Sequence, residues 1–282
     1  MDIKQFHFMN FIKRFGVIIG FLFIEQLIFL LSPQMNLTKM IFSESQYQAI
    51  KSTVPFMYNP LFVNTLKICL SAVFILMLIA FIWSFILKLD NANKIDTTSP
   101  LHKLPKTQKR YYWVPFVALA IIFAGNIIGN VIRLQQNGKT ITANQASLDT
   151  IGTSVSGAIW TILIIGIAIP IFEELLFRRL LIDYVGNSDS RTKFMLLSVI
   201  LFTSAHLLTS TNVIADVITY GVPAIVLTYL YVHFGNIRYG IYTHISMNMI
   251  ASAPMFTIIF NYITQNMQHY FDILTNGSTP GH

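Results

Sequence analysis

Glu173 and Glu174 follow Pro170 by three and four residues in an otherwise apolar stretch that closes on Arg178 and Arg179. An ionisable side chain at bilayer depth costs several kcal/mol unless it is partnered, so such groups point to chemistry. On a helix Glu174 and Arg178 stand four apart on one face, acid first, which is the favourable order for a pair. Glu173 then points about 100° away. The geometry splits the two carboxylates, one neutralised by its own helix and the other free to face a cavity as a general base. Pro170 carries no backbone donor and is expected to kink the helix just ahead of the acids. A blander reading fits the same residues: a helix reaching the cytoplasmic interface with its acids and arginines solvated.

Two more apolar runs carry polar groups, Phe202 with His206 and His244 with Asn248, each pair four residues apart. A single histidine in an apolar helix is most often a satisfied core residue, but three helices bringing such groups is a pattern. Counting ~1.5 Å per residue from the inner end of each run puts Glu173 at ~15 Å, His206 at ~18 Å, His244 at ~8 Å and Asn248 at ~14 Å, within a layer ~10 Å thick. These groups can line one pocket. A carboxylate and an imidazole sharing a water suffice for general-base hydrolysis, and an imidazole with a carboxamide can hold the oxyanion. That assigns Glu173 and His206 to the water and His244 and Asn248 to the oxyanion. The competing assignment makes Glu173, His206 and His244 ligands of a catalytic zinc with one open position. The chain lacks His-Glu-x-x-His and Gly-x-Ser-x-Gly, and its one cysteine, Cys69, stands in no motif.

These residues need a membrane scaffold. Of 282 residues 54% are hydrophobic and 11% charged, and the apolar ones form runs of about twenty, the length that crosses ~30 Å of hydrocarbon. A soluble enzyme, a disordered chain and a disulfide-stapled domain are excluded. Seven spans are expected, near 15–31, 61–87, 113–134, 154–182, 194–210, 213–234 and 239–262, giving an all-α polytopic bundle. An eighth, hidden in 250–275 and broken at Pro254, would leave two short pieces. The first span has basic flanks like a signal peptide, but its length and the sequence Ser32, Pro33, Gln34 favour an anchor. Lys88, Lys94, Lys103, Lys106, Lys109 and Arg110 make the 88–112 connection cytoplasmic, with the N-terminus inside and the C-terminus outside. The formal charge of +7 thus reads as topology, with no nucleic-acid partner. The basic connection also divides residues 1–110, an N-terminal helical part, from a core at 111–282.

Glu173-Glu174-x-x-x-Arg178, Phe202-x-x-x-His206 and His244-x-x-x-Asn248, in this order on successive apolar helices, resemble the signature motifs of the CPBP family of intramembrane proteases. That family includes type II CAAX prenyl endopeptidases and bacterial Abi-type proteins linked to bacteriocin self-immunity. The resemblance covers about residues 150–262. It implies a glutamate-dependent endopeptidase with Glu173 as base, His206 as its partner, His244 and Asn248 as oxyanion donors, and Glu174 with Arg178 as a supporting pair. The first expectation is a peptidase that cleaves a peptide or protein segment near the cytoplasmic half of the bilayer. The resemblance departs at Arg179, where many members have glycine. A non-catalytic immunity or regulatory protein that keeps the pocket is the alternative. The final residues, Thr279 to His282, form no prenylation box.

Other polar residues are read more plainly. Asp216, near the start of the sixth run, is either interfacial or part of the site. Glu25 and Lys67 could pair across the first two runs. His7, His102, His269 and His282 fall in tails or loops. His233 sits near an inner end closed by Gly235 and Asn236. Trp83, Tyr111, Tyr112 and Trp113 lie close to span ends, as interfacial aromatics do.

Overall fold

The computed structural model describes residues 15–20, 28, 31–33, 43–53, 59–92, 111–182, 188–208 and 210–276, and among them every regular element is a helix. They are α1 (Glu44–Thr53), α2 (Pro60–Ala92), α3 (Val114–Asn137), α4 (Ala143–Ile151), α5 (Val155–Leu180), α6 (Ser188–Leu207), α7 (Val213–Phe234), α8 (Ile237–Ala251) and α9 (Ala253–Asn276). The protein is an all-α membrane bundle. Among the described residues four helices, α2, α3, α5 and α7, are long and apolar enough to cross a bilayer, and the bent pair α8 and α9 makes a fifth if taken as one span. The apolar part of α6, Thr192–Leu207, is shorter. The first expected span, 15–31, lies mostly outside the described residues, as does the basic segment 93–110.

Burial ranks the helices. The apolar window of α5 is 61% buried, against 22% in both α2 and α3, so α5 is the central rod and its neighbours turn one face outward. Phe81, Phe116, Ile127 and Val131 are exposed on those outer faces, as lipid-facing side chains should be. Small residues let α3 and α7 approach closely. A Cβ at Gly125 would stand 2.8 Å from the Val222 side chain, and one at Gly129 would collide with the Thr219 hydroxyl. Along α2, Ser71 accepts a hydrogen bond from Trp160 Nε1 (2.9 Å), and Asn64 donates to Ser156 (3.0 Å). Helix α2 is thus fastened to the central one.

Three features depart from the sequence expectation. First, the disturbance near Pro170 takes the form of π turns: Thr161–Ala168 and Leu175–Leu180 are π-helical, with a short α stretch, Ile169–Glu174, between them. The Ile169 N–H bonds to Ile164 O, five residues back. In that register the donor for Ile165 O would be the nitrogen of Pro170, which has no hydrogen. Second, the run expected as one span at 239–262 is broken: α8 stops at Ala251 and α9 leaves at a 56° bend. Pro254 supplies no N–H to carry the ladder across the break. Third, the connection after α3 holds a helix, α4, begun by Thr142, whose hydroxyl accepts the Gln145 N–H at 3.0 Å. Thr-x-x-Gln is the sequence mark of such a start.

Candidate active site

The two acids sit on the α stretch of α5, both buried. Arg178 Nη1 lies 3.2 Å from Glu174 Oε1, both side chains fully shielded; this is the pair the four-residue spacing predicts. The guanidinium also lies over Phe202, its Cζ 4.6 Å from the ring centroid, a cation–π contact. No nitrogen of that guanidinium makes an aligned hydrogen bond among the described residues, and Glu174 Oε2 has none either. Gly240 explains how close α8 comes: a Cβ there would stand 2.6 Å from Glu174 Oε2. The sequence reading passed over this glycine, although it lies four residues before His244, on the same helix face.

His244 bridges the acids, with Nε2 3.4 Å from Glu173 Oε2 and Nδ1 3.1 Å from Glu174 Oε1. Asn248, one turn on, donates from Nδ2 to Ile165 O at 2.9 Å, the same carbonyl that Pro170 leaves without a helical donor. His206 is held differently. Its ring lies between Phe202 (4.8 Å) and Tyr220 (4.6 Å), and Nδ1 meets Phe202 O at 2.9 Å. A carbonyl can only accept, so Nδ1 carries the hydrogen and a neutral ring leaves the Nε2 lone pair available.

Glu173, His206, His244 and Asn248 all line one cavity of about 480 Å³. The imidazole in contact with Glu173 is that of His244, whereas His206 faces the same space from α6. The wall continues through Thr142 and Asn144 at α4 to Ser252 and Met255 at the helix break. Asn144 Nδ2 donates to His206 O and to the Tyr220 hydroxyl, both at 3.2 Å, and that hydroxyl donates to Thr142 Oγ1 at 3.0 Å. Helix α4 is thereby tied to the His206 turn. Among the described residues no three His, Cys, Asp or Glu side chains gather as a metal-ligating group.

The remaining expectations resolve as follows. Asp216 is not a solvated interfacial acid: it is buried and paired with Arg133 at 2.5 Å. Arg133 was missed, although an arginine late in one apolar run and an aspartate early in another were a usable signal. Lys67 directs Nζ to the carbonyls of Ser32 and Pro33, each at 3.4 Å, while Glu25 lies outside the described residues, with His7, His102 and His282. His269 stands exposed on α9 rather than in a tail. His233 stacks on Tyr229 at 5.1 Å. Trp83, Tyr112 and Trp113 are exposed, and Tyr111 packs edge-on against Phe234. Arg179 is buried on the site helix itself.

Acids and imidazoles thus face one cavity inside a helical membrane bundle. Residues 155–250 match the Rce1-like family, described as type II CAAX prenyl endopeptidase Rce1-like. This segment contains all three motifs, and the match supports the likeness to CPBP-family intramembrane proteases. No curated protein and no solved structure matches the chain.

Proposed function

We propose that the chain hydrolyses peptide bonds with water activated by Glu173 and His206. One observation carries the reading: the Glu173 carboxylate and the His206 imidazole open into the same cavity that His244 and Asn248 line. Water loses a proton to Glu173 or to Nε2 of His206 as its oxygen bonds to the carbonyl carbon. The carbonyl electrons move onto oxygen, which His244 Nε2–H and the second Nδ2 hydrogen of Asn248 hold. Glu174, held by Arg178, fixes the far side of His244. When the carbon–nitrogen bond breaks, the stored proton passes to the leaving nitrogen, giving a carboxylate and an amine.

The cavity runs from Glu173 towards α4 and the α8–α9 break, away from the bundle end where α2 closes and α3 begins. With the basic connection cytoplasmic, the peptide reaches the site from the outer side rather than through the cytoplasmic half. Peptide processing or self-immunity in a bacterium is the setting in which such a substrate would arise.

In purified, well-folded protein, Glu173→Gln and His206→Gln are each expected to slow cleavage by on the order of 10²–10⁴-fold. Substrates come from comparing peptides released by cells with and without the intact chain. Unchanged cleavage by a folded Glu173→Gln variant overturns the assignment. Activity lost in a chelator and restored by zinc would transfer Glu173, His206 and His244 to the metal-ligand reading.

A further inference from the structure

The imidazole assigned to the water stands where a helix is weakest. His206 belongs to the last turn of α6, which ends at Leu207. Carbonyls of a last turn have no helical donor, and such ends fray. Here the donor comes from another helix: Asn144 Nδ2, in the first turn of α4, bonds to His206 O at 3.2 Å.

The side chain has its own freedom to lose. The ring torsion of a histidine is broad and roughly two-fold, and a half-turn would carry Nδ1 off the Phe202 carbonyl and swing Nε2 with it. That carbonyl, 2.9 Å from Nδ1, holds one edge of the ring. Two aromatic rings hold its faces, Phe202 at 4.8 Å and 29° and Tyr220 at 4.6 Å and 32°. Phe202 lies one turn back on the same helix and moves with it, whereas Tyr220 comes from α7 and is an independent wall.

Tyr220 is itself anchored. Its hydroxyl donates to Thr142 Oγ1 at 3.0 Å and accepts from Asn144 Nδ2 at 3.2 Å. The Thr142 hydroxyl also takes the Gln145 N–H that opens α4. Asn144 spans both attachments, since a carboxamide has one hydrogen for the His206 carbonyl and another for the Tyr220 oxygen. Helix α4 contains no buried residue, so these bonds, more than burial, fix its first turn. Thr142, Asn144, His206 and Tyr220 all line the cavity.

Resting on the peptidase reading, we infer that Tyr220 is a positioning residue for His206, and that Asn144 brings the start of α4 into the same task. The Tyr220 ring fixes the plane of the imidazole, and Asn144 closes the turn that carries it. Together they hold the Nδ1–H tautomer and keep Nε2 aimed for the water.

The full chain, isotopically labelled at the histidine nitrogens, is studied in lipid nanodiscs, with the His206 signals assigned through His206→Gln. Nitrogen chemical shifts read which ring atom carries the hydrogen. Turnover is followed on a pool of internally quenched, N-acetylated and C-amidated peptides of Leu, Ala, Ser and Gly. The unsubstituted chain is expected to show one tautomer, with the hydrogen on Nδ1. Tyr220→Leu should give a mixture and lower kcat by about 10- to 100-fold, with KM within about threefold. Tyr220→Phe keeps the ring and should restore the single tautomer, with kcat within about threefold of the starting value. Asn144→Ala leaves the core untouched and should mix the tautomers and lower kcat by about three- to tenfold. A merely structural role would lower the melting temperature and leave the tautomer and the kcat of the folded chain as they were. A single Nδ1–H tautomer with undiminished turnover in Tyr220→Leu or Asn144→Ala overturns the inference and leaves the peptidase reading standing, and a mixture already present in the unsubstituted chain overturns it too. A tautomer that depends on the Tyr220 ring, in a chain that cleaves none of these peptides, supports the positioning and counts against the catalytic reading instead.

Discussion

Two charge clusters are buried in this bundle, and they are finished to different degrees. Around Arg133 and Asp216 nearly every polar atom is spoken for. Arg133 donates to Asn130, Asp216 and Thr219, and Asp216 also accepts from Ser210 at 2.6 Å. Among the described residues of this cluster only Arg133 Nε lacks a partner. Around Glu173, Glu174, Arg178 and His244 the bonding is incomplete: among the described residues three guanidinium nitrogens and one carboxylate oxygen have no hydrogen bond, and Glu173 and His244 line a cavity. A saturated buried network rigidifies a scaffold, whereas an unsaturated one keeps bonding capacity for something that arrives. By this criterion the α3–α7 pair is a clamp and the α5–α8 cluster the proposed site.

Substitutions can break the comparison. The largest effect on stability is expected from Asp216→Ala, which strands a buried arginine and should cost about 3–5 kcal/mol, read as a fall in melting temperature in detergent. Glu173→Gln, which keeps the shape and a polar group opposite His244, should shift the same melt far less. Equal losses in the two would erase the distinction. Gly240→Ala comes next, at about 1–3 kcal/mol for an overpacked contact. It pushes α8 off Glu174, so turnover should fall along with stability, and full activity would show that the close approach does not matter. Tyr220→Phe is the mildest. Losing the hydroxyl bond to Thr142 should cost about 0.5–1.5 kcal/mol, visible as faster amide exchange across α4, with the His206 ring still stacked.

What the sequence discloses here is one-dimensional. Runs of about twenty apolar residues mark helices, and four-residue spacings mark shared faces, which is why the Glu174–Arg178 pair and the polar turns at His206 and at His244 with Asn248 were all readable. Contacts between helices are a matter of register, and that is where the reading fell short. It did not join Arg133 to Asp216, nor place His244 between the two acids. A break at Pro254 is a minor option in the sequence because it leaves two short and poorly apolar pieces. Helix α4 was readable from Thr142 and Gln145, but it lies in a connection too polar to register as a span. The π turns leave no mark in composition, since Thr161 to Ala168 would serve an α-helix equally well.

Pro170 acts across the molecule by what it withholds. A residue with an N–H at this position would compete for Ile165 O, and the Asn248 carboxamide, 83 positions away in the chain, would lose its mooring. The imino acid therefore works as a vacancy reserved for a distant side chain, and the aim of one proposed oxyanion donor is written into the backbone of the helix facing it.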